Sequence, residues 1–188
     1  TGIMVGNSPT VTNNIIANLN NNQATSGGGG KVTGINVQAG SVNTITGNTI
    51  RNLTSAGRGG TVLVGIERPS GSGTGGNIVS GNTIHSLTGT ATGATSFTQQ
   101  AFGIYWLGST SGTNIISGNT IHSISLASSN TGSAIYGVYS VRSTFDNNMV
   151  RLGIDGGGNG ITSGYAIYGI YETTAAKELY NNSVYVGG

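Results

Sequence analysis

One phrase recurs six times along this chain: an apolar residue, a spacer, Gly or Asn, then Asn, and a second apolar residue two places further on. The copies read VTNNIIANL (11–19), ITGNTIRNL (45–53), VSGNTIHSL (79–87), ISGNTIHSI (116–124), FDNNMVRLGI (145–154) and LYNNSVYV (179–186). Their shared Asn falls at Asn14, Asn48, Asn82, Asn119, Asn148 and Asn182, at intervals of 34, 34, 37, 29 and 34 residues. A chain that repeats itself at this period is built of stacked units, and no unit can bury its apolar face without its neighbours.

A second signal keeps phase with the first. Gly followed by Ile or Val stands at Gly2, Gly34, Gly65, Gly103, Gly137 and Gly169, each 11 to 17 residues ahead of its Asn. The apolar segments are short, rich in Ile, Val, Thr and Tyr, and bounded by Gly, Asn and Ser, which reads as strands and turns. No segment sustains a helical apolar period. At 188 residues over six copies, about 31 per unit, the spacing fits one coil of a parallel β-helix. We therefore expect an all-β fold: a single β-solenoid segment over 1–188, of about six coils at approximately 1–33, 34–64, 65–102, 103–136, 137–168 and 169–188. The loops at 20–33, 88–101 and 155–165 vary most, so insertions are expected on one flank.

The residue before each shared Asn is always Gly or Asn, the types that tolerate a left-handed backbone. A sharp turn there puts the apolar residues on either side of it on adjoining walls of one core. The Asn then stacks on its copies as a ladder, because amides that donate to and accept from the next coil escape the cost of about 1–3 kcal/mol for an unpaired buried polar group. Simple alternation through AFGIY (101–105), AIYGVY (134–139) and AIYGIY (166–171) points Ile104, Val138 and Ile170 inward together with Phe102, Tyr136 and Tyr168, and Tyr105, Tyr139 and Tyr171 outward.

Composition narrows the function. Charged residues make up 6% of the chain against about 25% in ordinary soluble domains, so Ser, Thr, Asn and Gly must solvate the surface. The net charge of +2 is scattered, and no basic cluster suggests nucleic acid as a partner. No apolar run approaches the length of a membrane span. Zero cysteines exclude disulfides and Cys-ligated metals. The chain opens on Thr1 instead of Met, from which we expect a processed chain or an excerpt of a longer one.

The repeats GNTIHSL, GNTIHSI and YNNSVYVGG, interleaved with AIYGIY, resemble the repeat arrays of very large bacterial surface proteins exported by type IX secretion. More broadly the chain resembles right-handed parallel β-helix proteins of the pectate-lyase-like class, in which an internal Asn ladder recurs. The resemblance spans all six copies and implies fold more than activity, since that class contains lyases, hydrolases, adhesins and stalks.

Catalytic groups are sparse. Cleavage of a glycan on this fold needs converging carboxylates, and the only acids are Glu67, Asp146, Asp155, Glu172 and Glu178. Asp146 and Glu178 fall near one another on adjacent coils, tempered by Lys177 and Arg151, and read as solvated side chains more than as an acid pair. His85 and His122 share one column with Arg51 and Arg151, and also with Ala17 and Tyr185, which fits an outward polar column better than a metal pair. The run from Asp155 to Gly160 resembles one Ca²⁺-binding glycine-rich loop without the tandem copies such sites need. Thr49, Thr83 and Thr120 form a short rank of the kind that orders ice, interrupted by Ile15, Met149 and Ser183. Tyr105, Tyr139 and Tyr171, with Trp106 beside the first, are candidates for stacking on sugars or on a neighbouring solenoid.

These readings converge on a non-enzymatic, cofactor-free and metal-free structural segment of a secreted extracellular fibre or cell-surface adhesin. It stacks end to end through uncapped coils or continues within the same chain. The alternative is a β-helix that binds or cleaves carbohydrate, with a polysaccharide or cell-surface glycan as partner; an ice-binding solenoid is a minor alternative.

Overall fold

The structure, a computed structural model, describes residues 1–22, 30–57, 60–91, 97–174 and 178–188. Each turn of the chain runs through three short strands, and each strand pairs in parallel with its counterpart one repeat away. Sheet 1 stacks Ile3–Val5, Lys31–Val37, Val62–Arg68, Gln100–Leu107, Ala134–Val141 and Ala166–Glu172. Sheet 2 stacks Thr10–Thr12, Asn43–Thr46, Asn77–Ser80, Asn114–Ser117, Thr144–Asp146 and Leu179–Tyr180. Sheet 3 stacks Ile15–Ala17, Thr49–Ser55, Thr83–Gly89, Thr120–Leu126, Met149–Leu152 and Ser183–Val186, with Asn20–Asn21 also paired to Thr49–Ser55. The fold is an all-β parallel solenoid of about five full turns, close to the six coils expected. The connections from sheet 3 to sheet 1 vary in length, as expected, but so do those from sheet 1 to sheet 2, which run from two residues between Val141 and Thr144 to eight between Arg68 and Asn77, so the insertions are not confined to one flank.

The apolar columns meet inside. Ile45, Val79, Ile116 and Phe145 of sheet 2 face Ile50, Ile84, Ile121 and Val150 of sheet 3, and all are buried. Ile35, Ile66, Ile104 and Val138 close the third wall from sheet 1. Burying each of these side chains is worth about 1.5–3 kcal/mol, and the parallel register keeps like above like.

The corner between sheets 2 and 3 is made as the sequence suggests. Asn13, Gly47, Gly81, Gly118, Asn147 and Asn181 all have φ between 54° and 65°, the left-handed region. The following Asn turns inward and stacks. The backbone N–H and the Nδ2 of Asn48 both donate to Asn82 Oδ1 at 3.0 Å, while the same Nδ2 also donates back to the Val11 carbonyl at 2.9 Å. This arrangement recurs from Asn82 to Asn119, from Asn119 to Asn148 and from Asn148 to Asn182. Each interior amide is therefore satisfied by the coils on either side of it.

Two further columns escaped the sequence reading. Asn43, Asn77 and Asn114, five residues before their ladder Asn, form a second buried ladder at the corner entering sheet 2, with Asn43 donating to Asn77 and Asn77 to Asn114. Pro9 and Ser143 hold the equivalent places on either side, so this ladder spans only the middle coils. Asn18, Asn52, Ser86 and Ser123 form a second left-handed column within sheet 3, with φ of 56° to 59°. There the strand bends, which lets Ile50 and Leu53, three apart, both enter the core.

Sheet 1 also departs from simple alternation, and the glycine of the Gly-Ile signal is the cause. A Cβ on Gly103 would point into the core, 2.6 Å from Ile121 Cγ2 and 2.6 Å from the Gly137 carbonyl oxygen. Gly103 and Ile104 thus face inward in succession, and the register reverses on the N-terminal side of the glycine. Phe102, Tyr136 and Tyr168, expected inside, project outward instead, on the same face as Tyr105, Tyr139 and Tyr171.

Replacing Asn82 with Leu should destabilise the fold by at least about 3 kcal/mol in chemical denaturation, since it strips the acceptor from two donors of Asn48 and removes the side-chain donor to Asn119 Oδ1 and to the Ile45 carbonyl. The same change at the terminal Asn182 should cost less than half as much. Gly103→Ala should cost about 1–3 kcal/mol through overpacking, whereas Gly156→Ala, with no atom within 4 Å, should be close to neutral.

Candidate functional site: the aromatic face of sheet 1

The reversal at glycine gathers six rings on the outer side of sheet 1, where Tyr168 and Tyr171 are exposed, Tyr105, Tyr136 and Tyr139 are half-buried and Phe102 is buried. Phe102, Tyr136 and Tyr168 form one rank, with centroids 4.9 Å apart at each step and ring planes within 14° of parallel. Tyr105, Tyr139 and Tyr171 form the second, at 5.1 and 5.4 Å. The ranks touch edge to face, Phe102 to Tyr105 at 5.2 Å and Tyr136 to Tyr139 at 5.5 Å. Ring spacing follows the strand spacing because both ranks ride on one parallel register.

Polar groups border this platform toward the N-terminal coils. Lys31 pairs with Glu67, whose other carboxylate oxygen accepts from Asn36 Nδ2 at 2.8 Å. Val62, Val64, Glu67, Gln100, Phe102 and Tyr105 line a shallow hollow where the aromatic ranks begin. Burial pushes the Tyr105 phenol above its ordinary value, helped by Tyr139 and Glu67. The Tyr136 phenol is raised in the same way by burial and by Tyr168, Tyr171 and Tyr139. The face presents stacked rings, five of them bearing a phenol hydroxyl, suited to stacking against the apolar face of a sugar ring or another planar group.

Tyr105, Tyr139 and Tyr171 stand where the sequence places them. Trp106 does not: it is fully buried in the core, with the Arg68 guanidinium 5.8 Å from its ring centroid. Beyond Ile104 the alternation is regular, so residue 106 points in when residue 105 points out. Arg68 is itself buried and donates to the carbonyls of Leu107, Gly40 and Ser72. Burial depresses its pKa, and the carbonyls stand in for a carboxylate.

The acids are dispersed. Glu67 is held by Lys31 and Asn36, Glu172 accepts from the Arg142 and Thr174 amides at 3.0 Å, and Asp155 closes its own loop on the Gly157 and Asn159 amides at 2.8 Å. Asp146 and Glu178 share the outer face of sheet 2, where Tyr180 pairs with Asp146 in register and reaches Glu178 at 3.4 Å. Lys177 lies outside the described residues. Among the described residues no group of three or more metal-ligating side chains converges.

Raising the pH should ionise Tyr105 and Tyr136 above the free phenol value of about 10, as read by tyrosinate absorbance. The sign of the linkage follows: stability is fully present below that value and is lost as pH climbs through the raised folded values. Tyr105→Phe with Tyr136→Phe should flatten that alkaline loss. No family model, curated protein or solved structure matches this chain.

Proposed function

We propose that the chain is a non-enzymatic structural segment of an extracellular fibre or cell-surface adhesin, a stiff rod that continues end to end. The observation that carries this reading is the direction of the Asn ladder. Asn14, Asn48, Asn82, Asn119 and Asn148 each donate to the Oδ1 of the ladder Asn one coil on, so Asn48, Asn82, Asn119, Asn148 and Asn182 each accept from the coil before. Among the described residues no donor reaches Asn14 Oδ1, while the Asn182 backbone N–H has no acceptor beyond it; the two ends are complementary halves of one ladder step.

The last coil adds a second support. Leu179, Val184 and Val186 occupy core columns yet are 54%, 46% and 48% exposed, whereas the same columns in the middle of the rod are fully buried. A further coil, from the same polypeptide or from a second copy, would bury them and pair their strand edges. The likeness of the repeats to pectate-lyase-class helices and to surface arrays exported by type IX secretion belongs to this reading, and it rests on the repeat motifs alone.

A second reading is favoured by the aromatic face of sheet 1, which offers five tyrosine rings to a glycan, with Phe102 buried at their edge. The two readings separate by experiment. Cryo-electron microscopy of the native material should show continuous filaments with an axial repeat of about 29 Å, six coils at roughly 4.8 Å each, or a small multiple of it. Discrete particles with covered ends would overturn end-to-end stacking. Tyr139→Ala with Tyr171→Ala should leave filaments intact, and loss of retention on a polysaccharide column in the same variant would support the glycan platform.

A further inference from the structure

Sheet 3 carries a feature that the rod does not need. Arg51, His85, His122 and Arg151 stand directly above one another on its outer face, one per coil. The imidazoles are stacked, 4.9 Å between centroids and 4° from parallel. Each ring is anchored through Nδ1 to the hydroxyl of the next residue, Ser86 at 3.0 Å and Ser123 at 2.9 Å. Those serines sit in the left-handed column, so the bend in the strand sets the rings. With Nδ1 engaged, Nε2 is the nitrogen left for a partner.

This is not a metal pair. Parallel rings at that separation hold their Nε2 atoms too far apart to share one ion at ordinary Zn–N lengths of about 2.0–2.1 Å. Cationic neighbours above and below also repel a metal. No acid balances the column: Glu67 and Glu172 belong to sheet 1, Asp146 to sheet 2, and Glu178 immediately precedes the sheet 2 strand Leu179–Tyr180. Asp155 lines a hollow at the far edge of sheet 3, beyond Thr88 and Ser125, with its carboxylate taken up by its own loop. Tyr185 is next in the column after Arg151. Threonine ranks run on both sides, Thr49, Thr83 and Thr120 on one and Thr54 and Thr88 on the other.

We propose that sheet 3 binds a polyanionic polysaccharide laid along the solenoid axis, with successive acid groups on Arg51, His85, His122 and Arg151 and sugar hydroxyls on the flanking threonines. An extended pyranose polymer advances per sugar by nearly the spacing of parallel strands, so the acid groups it turns toward the sheet fall in step with the cations of the column. Nucleic acid fits less well, because the aromatic rings it would stack on lie on sheet 1 and not beside the cations. The inference stands independently of the rod reading, since it concerns one lateral face.

The column is also graded by pH. Burial and Arg51 depress His85, and burial, His85 and Arg151 depress His122. Near neutrality the stripe holds its two arginine charges, and protonation of both histidines doubles that charge. Because the folded pKa values lie below the free one, protonation costs fold stability as pH falls through that window, and a bound polyanion offsets the cost.

The test is fluorescence anisotropy with labelled alginate and dextran sulfate as the carboxylate and sulfate probes, at about pH 5 and about pH 8. Neutral dextran and a single-stranded oligonucleotide are the comparison probes. Binding to at least one polyanion should be roughly tenfold tighter at the acid pH and should weaken with salt. Alginate alone would assign a uronate, dextran sulfate alone a sulfate ester. His85→Gln with His122→Gln should abolish the pH step, and Arg51→Gln with Arg151→Gln should weaken binding at both pH values. All four side chains are on the outer face, and circular dichroism confirms that each variant folds. Polyanion binding no better than dextran, unchanged by the arginine pair, or surpassed by the oligonucleotide would overturn the proposal.

Discussion

Everything in this molecule hangs on an amide that can be satisfied in two directions at once. An asparagine buried alone would be a liability, because its donors and acceptor need partners that an Ile and Val core does not supply. Stacked, each interior ladder Asn receives two hydrogen bonds on its oxygen and gives its own to the coils on either side. The ladder therefore locks register: sliding one coil by a single residue would leave every amide without its mate and turn each apolar column to solvent. The hydrophobic columns supply most of the stabilisation, but they would tolerate shifts that the amides do not.

From this constraint the outer surface follows. With like stacked above like, a substitution at one level becomes part of a column, and columns become faces: rings on sheet 1, cations and threonines on sheet 3, two carboxylates and Tyr180 on sheet 2. A chain with only 6% charged residues can thus present a concentrated stripe of one charge sign, since periodicity collects what composition scatters.

The sequence made the ladder, the turn before it and two walls of the core legible, because those positions repeat with the same residue types in nearly every copy. It was misleading where backbone geometry, not residue type, decides direction. Strict alternation placed Phe102, Tyr136 and Tyr168 inside, and Gly103, Gly137 and Gly169 reverse it by pressing bare backbone against the core. The signal was present in the column of glycines flanked by large residues on both sides. Trp106 was misread for the same reason, being taken as a neighbour of Tyr105 when the next residue of a strand faces the other way. The second ladder of Asn43, Asn77 and Asn114 was hidden by its interruption at Pro9 and Ser143, and the serine bends at Ser86 and Ser123 by a residue type that seldom announces a positive φ.

The direction of the strand pairing has a mechanical consequence. Hydrogen bonds between coils lie along the rod, so tension applied to its ends loads them one layer at a time, like a zipper and unlike a shear joint. Each layer that peels away gives up a 34-residue loop, about 115 Å of extended chain, in place of a rise of roughly 4.8 Å. Such a rod would resist bending yet yield to stretch in steps, dissipating a pull through sacrificial coils while the rest of the stack keeps its shape.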